Sequence, residues 1–248
     1  MFLNLLESAA YRSGSWLENL TTGEAFLMII IVAVAGMVVQ WRLRSVVEKY
    51  SKVELPSGLT GAEIAERMLR DHNVRDVKIV HTGGYLSDHF DPRNKTVNLS
   101  KDVYYGRSIT AAAIACHECG HAVQHAEGYA PLQMRSTLVP VVMVSSQLST
   151  WLVIIGLIMA SSSGSEWLCW TGVGMMCVSA LFSIITLPVE YNASDRALAW
   201  LSSSRILNDK EMDGATISLR WAARTYLVAA LSAIASILYY ITLINRRR

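Results

Sequence analysis

The chain has 248 residues, 52% hydrophobic and only 17% charged, with a mean hydropathy of +0.31. A soluble domain of this length carries nearer a quarter charged residues, so the deficit excludes a disordered chain and points to a membrane protein. A formal charge of +2, with no basic stretch interleaved with aromatics, excludes a nucleic-acid groove and leaves no nucleic acid among the expected partners.

Residues 1–24 form an N-terminal segment that lacks a basic start and carries three acids, Glu7, Glu18 and Glu24, against a cleaved signal peptide. Residues 25–41, AFLMIIIVAVAGMVVQW, are 17 uncharged residues and reach the lower limit for a spanning helix. A polar domain is expected over 42–135. In it, LTGAEIAERMLRDHN from Leu59 places Ile64, Met68 and Leu69 on one stripe of an amphipathic helix. VKIVH (77–81) and TVNLS (96–100) read as strands, with Gly83-Gly84 and the DPRN run at 91–94 as turns. Ser108 is placed to cap a helix from Ile109 to Gly128.

Residues 136–189 are uncharged apart from Glu166 and read as a two-span hairpin turning at SSSGSE. Residues 190–224 form a helical segment, 225–245 a fourth span and 246–248 a basic tail. A hairpin returns the chain to the side it left, so 42–135 and 190–224 share one face of the membrane. That face carries nine basic residues near span ends (Arg42, Arg44, Lys49, Lys52, Arg135, Arg196, Arg205, Arg220, Arg224) against four on the other (Arg12 and the terminal three). The bias predicts a multi-pass cell-membrane protein with this face in the cytoplasm.

Residues 117–121 read His-Glu-Cys-Gly-His. On a helix the two histidines lie about 40° apart and one turn along the axis, so both imidazoles can reach one tetrahedral Zn²⁺. Glu118 projects to the flank, as a general base for metal-activated water. A catalytic zinc needs a third ligand. His125 extends the stripe, but i, i+4, i+8 spreads over ~12 Å of axis, too far for one ion. Cys116 and Cys119 point ~150° from the histidine pair and read as buried small residues. Glu190, just past the Pro188 expected to end the third span, opens VEYNASDRALAWL on the histidines' face of the membrane and is the best third ligand, because a carboxylate at a span end needs a partner. Asp195, and with it Arg196, is placed to orient ligands. Tyr104, Tyr105 and Tyr191 are candidates for oxyanion support, and TVNLS for an edge that pairs with substrate.

The run SDHFDPRNKTVNLSKDVYYGRSITAAAIACHECGHAVQHAEGYAPLQMRSTLVPVV, with LPVEYNASDRAL and YLVAALSAIASILYYITL, resembles the YugP-type neutral zinc metallopeptidase family of bacterial membrane proteases. The likeness starts near Tyr50. It implies a zincin-like α+β core, a small sheet plus the His-Glu-x-x-His helix, on a mainly α membrane protein of about four spans. It also implies Zn²⁺ on His117, His121 and Glu190, Glu118 as general base, and hydrolysis of a membrane-associated peptide or protein. A hairpin between the motif and a later Glu is also the plan of HtpX and the CAAX-type endopeptidases. In those an Asp follows the Glu by four positions, whereas here that place is Ser194 and the Asp is at 195. The alternatives are a site-2-type intramembrane protease completed by Asp213-Gly214, and a non-catalytic membrane scaffold keeping the metallopeptidase fold.

Overall fold

The computed structural model describes residues 19–84, 87–163 and 166–246. Most of the expected N-terminal segment, the centre of the hairpin turn and the last two arginines lie outside them. Among the described residues four helices are long and apolar enough to cross a membrane: α1 (Thr22–Ser51), α5 (Ala130–Ser163), α6 (Trp167–Ser204) and α7 (Asp209–Asn245). The 37 residues of α7 extend ~55 Å at 1.5 Å per residue, well beyond a hydrocarbon core of ~30 Å. The helices are therefore longer than their spans.

Between α1 and α5 come α2 (Gly61–Asp71), β1 (Lys78–Thr82), β2 (His89–Asp91), β3 (Thr96–Ser100), α3 (Lys101–Tyr104) and α4 (Ile109–Ala126). Local chemistry sets the boundaries. Thr60 and Glu63 close a reciprocal capping box on α2. The Ser108 hydroxyl accepts from the Ala111 amide at the start of α4, and Gly128, with φ of 68°, supplies the left-handed residue just past its end. Asn208 and Glu211 cap α7 reciprocally.

Two expectations change. The sheet order is β1-β3-β2, with β3 parallel to β1 and antiparallel to β2. TVNLS is therefore the central strand, with both of its edges paired, and the edge strand the sequence did not announce is β2, only three residues long. Pro188 does not end a helix but lies inside α6. Proline removes one backbone donor and strains the preceding turn, yet the helix runs on through it.

The chain forms two compact units. One comprises residues 36–140 and 182–229. Its core gathers Ile64 and Met68 of α2, Val97 and Leu99 of β3, Cys116, Cys119 and Val123 of α4, and Ala197 and Leu201 of α6. The central helix α4 is buried over nearly its whole length, because its Ala-rich sequence lets neighbours approach on every side. The other described unit, residues 19–35, 141–181 and 230–246, is packed around Val153, Cys169, Val173 and Ile244. Residues such as Phe26, Ile31, Trp151 and Ile158 stay exposed, as expected of surfaces solvated by lipid.

Candidate metal centre

The site is built where α4 meets α6. Gly120, the second variable residue of the His-Glu-x-x-His run, makes the approach possible: a Cβ there would lie 2.6 Å from the Ala193 carbonyl oxygen. Three residues before Ala193, Glu190 then faces the histidine pair. His117 Nε2 stands 3.2 Å and His121 Nε2 3.5 Å from the same oxygen, Glu190 Oε2. Among the described residues these three form a group whose ligand atoms lie within 4.8 Å of one another. The imidazole rings meet edge to face, 4.8 Å between centroids.

Each imidazole is held from behind. His121 Nδ1 faces Gln124 Oε1 at 3.0 Å. The Gln124 amide is fully buried and donates to the Val189 carbonyl at 2.8 Å and to Asn192 Oδ1 at 3.0 Å. With the amide so oriented, its oxygen accepts the Nδ1 proton and leaves the Nε2 lone pair directed at the site. His117 Nδ1 lies 3.2 Å from the Ser194 hydroxyl. Ser194, the position four after Glu190, therefore meets a histidine ring. Asp195 is exposed, and Arg196 donates to Asn192 Oδ1 and pairs with Glu127 at 2.7 Å, extending the polar tie between α6 and α4.

Glu190 is 1% exposed. Burial alone would raise its pKa, but hydrogen bonds and charge from His117 and His121 prevail and hold the carboxyl well below the usual range. For His121, burial works downward and is outweighed by the hydrogen bond to Glu190 and the charges of Glu118 and Glu190, so its pKa is raised. Glu190 Oε2 faces both imidazoles, while Arg135 Nη1 donates to Oε1 at 2.9 Å. Arg135 occupies one carboxylate oxygen and leaves Oε2 to the histidines.

Donors ~2.0–2.1 Å from a tetrahedral zinc stand about 3.3 Å from each other. The 3.2 and 3.5 Å separations, the two imidazole nitrogens and the buried carboxylate fit that ion. Glu118 is buried at 8% exposure beside the group and lines the two cavities that meet there. One, about 210 Å³, is bounded by Asp88, His89 and Phe90 at the β2 edge and by Leu132, Arg135 and Ser136 of α5. The other, about 340 Å³, is bounded by α1, α4 and α7. Tyr226 and Asp88 line both. The Asp88 carboxylate accepts from the Ser100 amide and hydroxyl, while burial raises its pKa.

The other candidates lie elsewhere. Cys116 and Cys119 are fully buried, and burial pushes both thiols up. His125 is exposed and packs its ring 5.6 Å from Phe90. Tyr104 and Tyr105 meet edge to face and both pack against His81, and Tyr191 is 44% exposed. Asp213 is exposed, and Gly214 lies against the Tyr50 ring, 2.8 Å from a would-be Cβ. Reading along the chain missed Gln124, Arg135 and Tyr226. Arg135 counted there only as a basic residue near a span end.

A family model described as "Putative neutral zinc metallopeptidase" matches residues 25–245. The chain is 39% identical over 219 residues, 87% of its length and 95% of the relative's, to the "Putative membrane protease YugP" of Bacillus subtilis (strain 168). No solved structure matches it. The chain thus belongs to the neutral zinc metallopeptidase family.

Proposed function

We propose that the protein is a multi-pass membrane endopeptidase that hydrolyses peptide bonds of membrane-associated polypeptides, with His117, His121 and Glu190 holding zinc and Glu118 acting as general base. The observation that carries this reading is the convergence of both Nε2 atoms on one buried Glu190 oxygen at ligand-to-ligand distances, with Glu118 on the same cavity wall. Zinc in such a donor set acidifies water toward a pKa of ~7 and polarises a carbonyl.

The chain's own residues do the rest. Gln124 and Ser194 fix the imidazoles so that Nε2 of each faces the site. Arg135 holds Glu190 by one oxygen. Glu118 takes the proton of the attacking water and returns it to the leaving amine. Arg135 and Tyr226, which line the cavity at this point, are the donors available to the developing oxyanion; Tyr104, Tyr105 and Tyr191 line neither cavity. The free edge beside the cleft is β2, whose backbone can add an extended substrate strand.

The site-2 alternative draws no support from the exposed Asp213. A scaffold has no use for a buried carboxylate flanking the cluster. The basic-residue count supports a cytoplasmic site.

The test compares membrane proteomes of cells carrying wild type and Glu118→Gln. Full-length substrates accumulate and their cleaved N-termini vanish in the variant, while its zinc content stays at the wild-type level. Identical profiles would remove the peptidase reading.

A further inference from the structure

The larger of the two cavities has a composition of its own. Away from the residues it shares with the smaller one, its wall is Leu43 and Val47 of α1, Ile114 of α4, and Leu219, Ala222 and Ala223 of α7, with Gln40, Ser218 and Thr225 between them. None of these is charged. Val47, Leu219 and Ala223 are themselves buried, so the wall is a packed part of the fold and not a chance crease. The short side chains of Ser218, Ala222 and Ala223 leave the space open on the α7 side. At about 340 Å³ it sits at the small end of ligand pockets, a size suited to a single large side chain.

The smaller cavity differs. Besides the shared residues it carries the cation Arg135 with His89, His121 and Ser136, set among Phe90, Pro92, Leu132 and Val139. Asp88, His117, Glu118, Glu190 and Tyr226 line both. A polypeptide whose scissile bond lies at Glu118 therefore leaves one flank toward a mixed wall that carries the cation Arg135 and the other toward a wall with no charge of its own. Apart from Ile114 of α4, the uncharged wall comes from α1 and α7, two of the helices long and apolar enough to cross a membrane.

Resting on the zinc-peptidase reading, the geometry points to this cavity as the specificity pocket: it receives a large aliphatic or aromatic side chain next to the scissile bond and rejects an acidic one. The substrates are polypeptides cut beside an apolar residue. An apolar group gains by leaving water there. A carboxylate would lose its hydration and face Asp88, Glu118 and Glu190 without a cation on that wall.

The test uses the zinc-loaded full chain in detergent and three zinc-binding probes: acetohydroxamate, 4-methylpentanohydroxamate and succinic monohydroxamate. Affinities are read by calorimetry, without turnover. The 4-methylpentanoyl compound is expected to bind at least tenfold tighter than acetohydroxamate, and the succinyl compound no tighter than acetohydroxamate. Ala222→Phe, which fills the pocket, should abolish the tenfold gain while leaving acetohydroxamate affinity unchanged. That unchanged value also reports that the variant is folded. Equal binding of the aliphatic and acetyl probes, or a gain that survives both Ala222→Phe and Leu219→Gln, overturns the pocket and leaves the metal site standing. Failure of acetohydroxamate itself to bind overturns the zinc-peptidase reading, and the pocket with it.

Discussion

In both compact units helices come close enough to touch backbones, and in both a glycine permits it. At the site, a Cβ on Gly120 would lie 2.6 Å from the Ala193 oxygen of α6. In the other unit, a Cβ on Gly156 would lie 2.6 Å from the Cys169 amide nitrogen, and one on Gly172 would lie 2.8 Å from the Ser149 oxygen. What surrounds the approach differs. Around Gly156 and Gly172 the neighbours are Val153, Cys169 and Val173, so contact is held by small-residue packing, the usual device in lipid. Around Gly120 the crossing is tied by Gln124, Asn192, Arg196 and Glu127. Packing tolerates slips of some tenths of an ångström, whereas a ligand set does not. The polar ties turn a helix contact into a candidate metal centre.

Matched substitutions break this comparison most sharply. Gly120→Val should push α6 from α4 and lower zinc affinity by 100-fold or more, because Glu190 moves with the α6 backbone. Gly156→Val should lower the yield of folded protein yet leave zinc per folded chain unchanged. Metal analysis of the two size-purified variants checks both.

A smaller effect is expected behind the ligands. Gln124→Leu removes the acceptor at His121 Nδ1 and leaves the Val189 carbonyl without its buried donor, so zinc affinity should fall about 10- to 100-fold with the helices still packed. Ser194→Ala should cost less, since a hydroxyl is a weaker partner than a buried amide locked by two further bonds. Competition with a chelator of known affinity gives the order.

The smallest effect concerns pH in the metal-free protein. Glu190 is depressed from 4.5, so its contribution to stability is present above that value and lost as pH falls through its folded pKa. His121 is raised from 6.5, so its contribution is full below that value and lost as pH rises through its folded pKa. The pair therefore stabilises the chelated protein most between about pH 4.5 and 6.5. Its Tm should fall from pH 6 toward pH 8, and Glu190→Gln should flatten that slope. Thermal scans with and without zinc follow it.

Local signals carried much of this arrangement. The stripe of Ile64, Met68 and Leu69, the Ser108 cap, the histidine spacing and the charge-free runs are all set within a few residues of chain. Glu190 was reachable through topology, because a two-span hairpin brings 190 back to the side of 117. The rest arises only from tertiary contact. β2 is three residues long, too short for a periodic pattern. The central place of β3 depends on pairing on both sides. Pro188 reads as a stop because its neighbours are invisible in sequence. Arg135 and Tyr226 look like span-flanking residues until the helices meet. The role expected of Asp195 fell one position away, since on α6 it is Ser194 that turns toward His117.

The most direct measurement is zinc per chain in purified wild type, Glu190→Ala and Asp213→Ala. About one zinc is expected in wild type and in Asp213→Ala, and only a small fraction of one in Glu190→Ala. Full zinc in Glu190→Ala, with loss in Asp213→Ala, would contradict a centre closed by His117, His121 and Glu190.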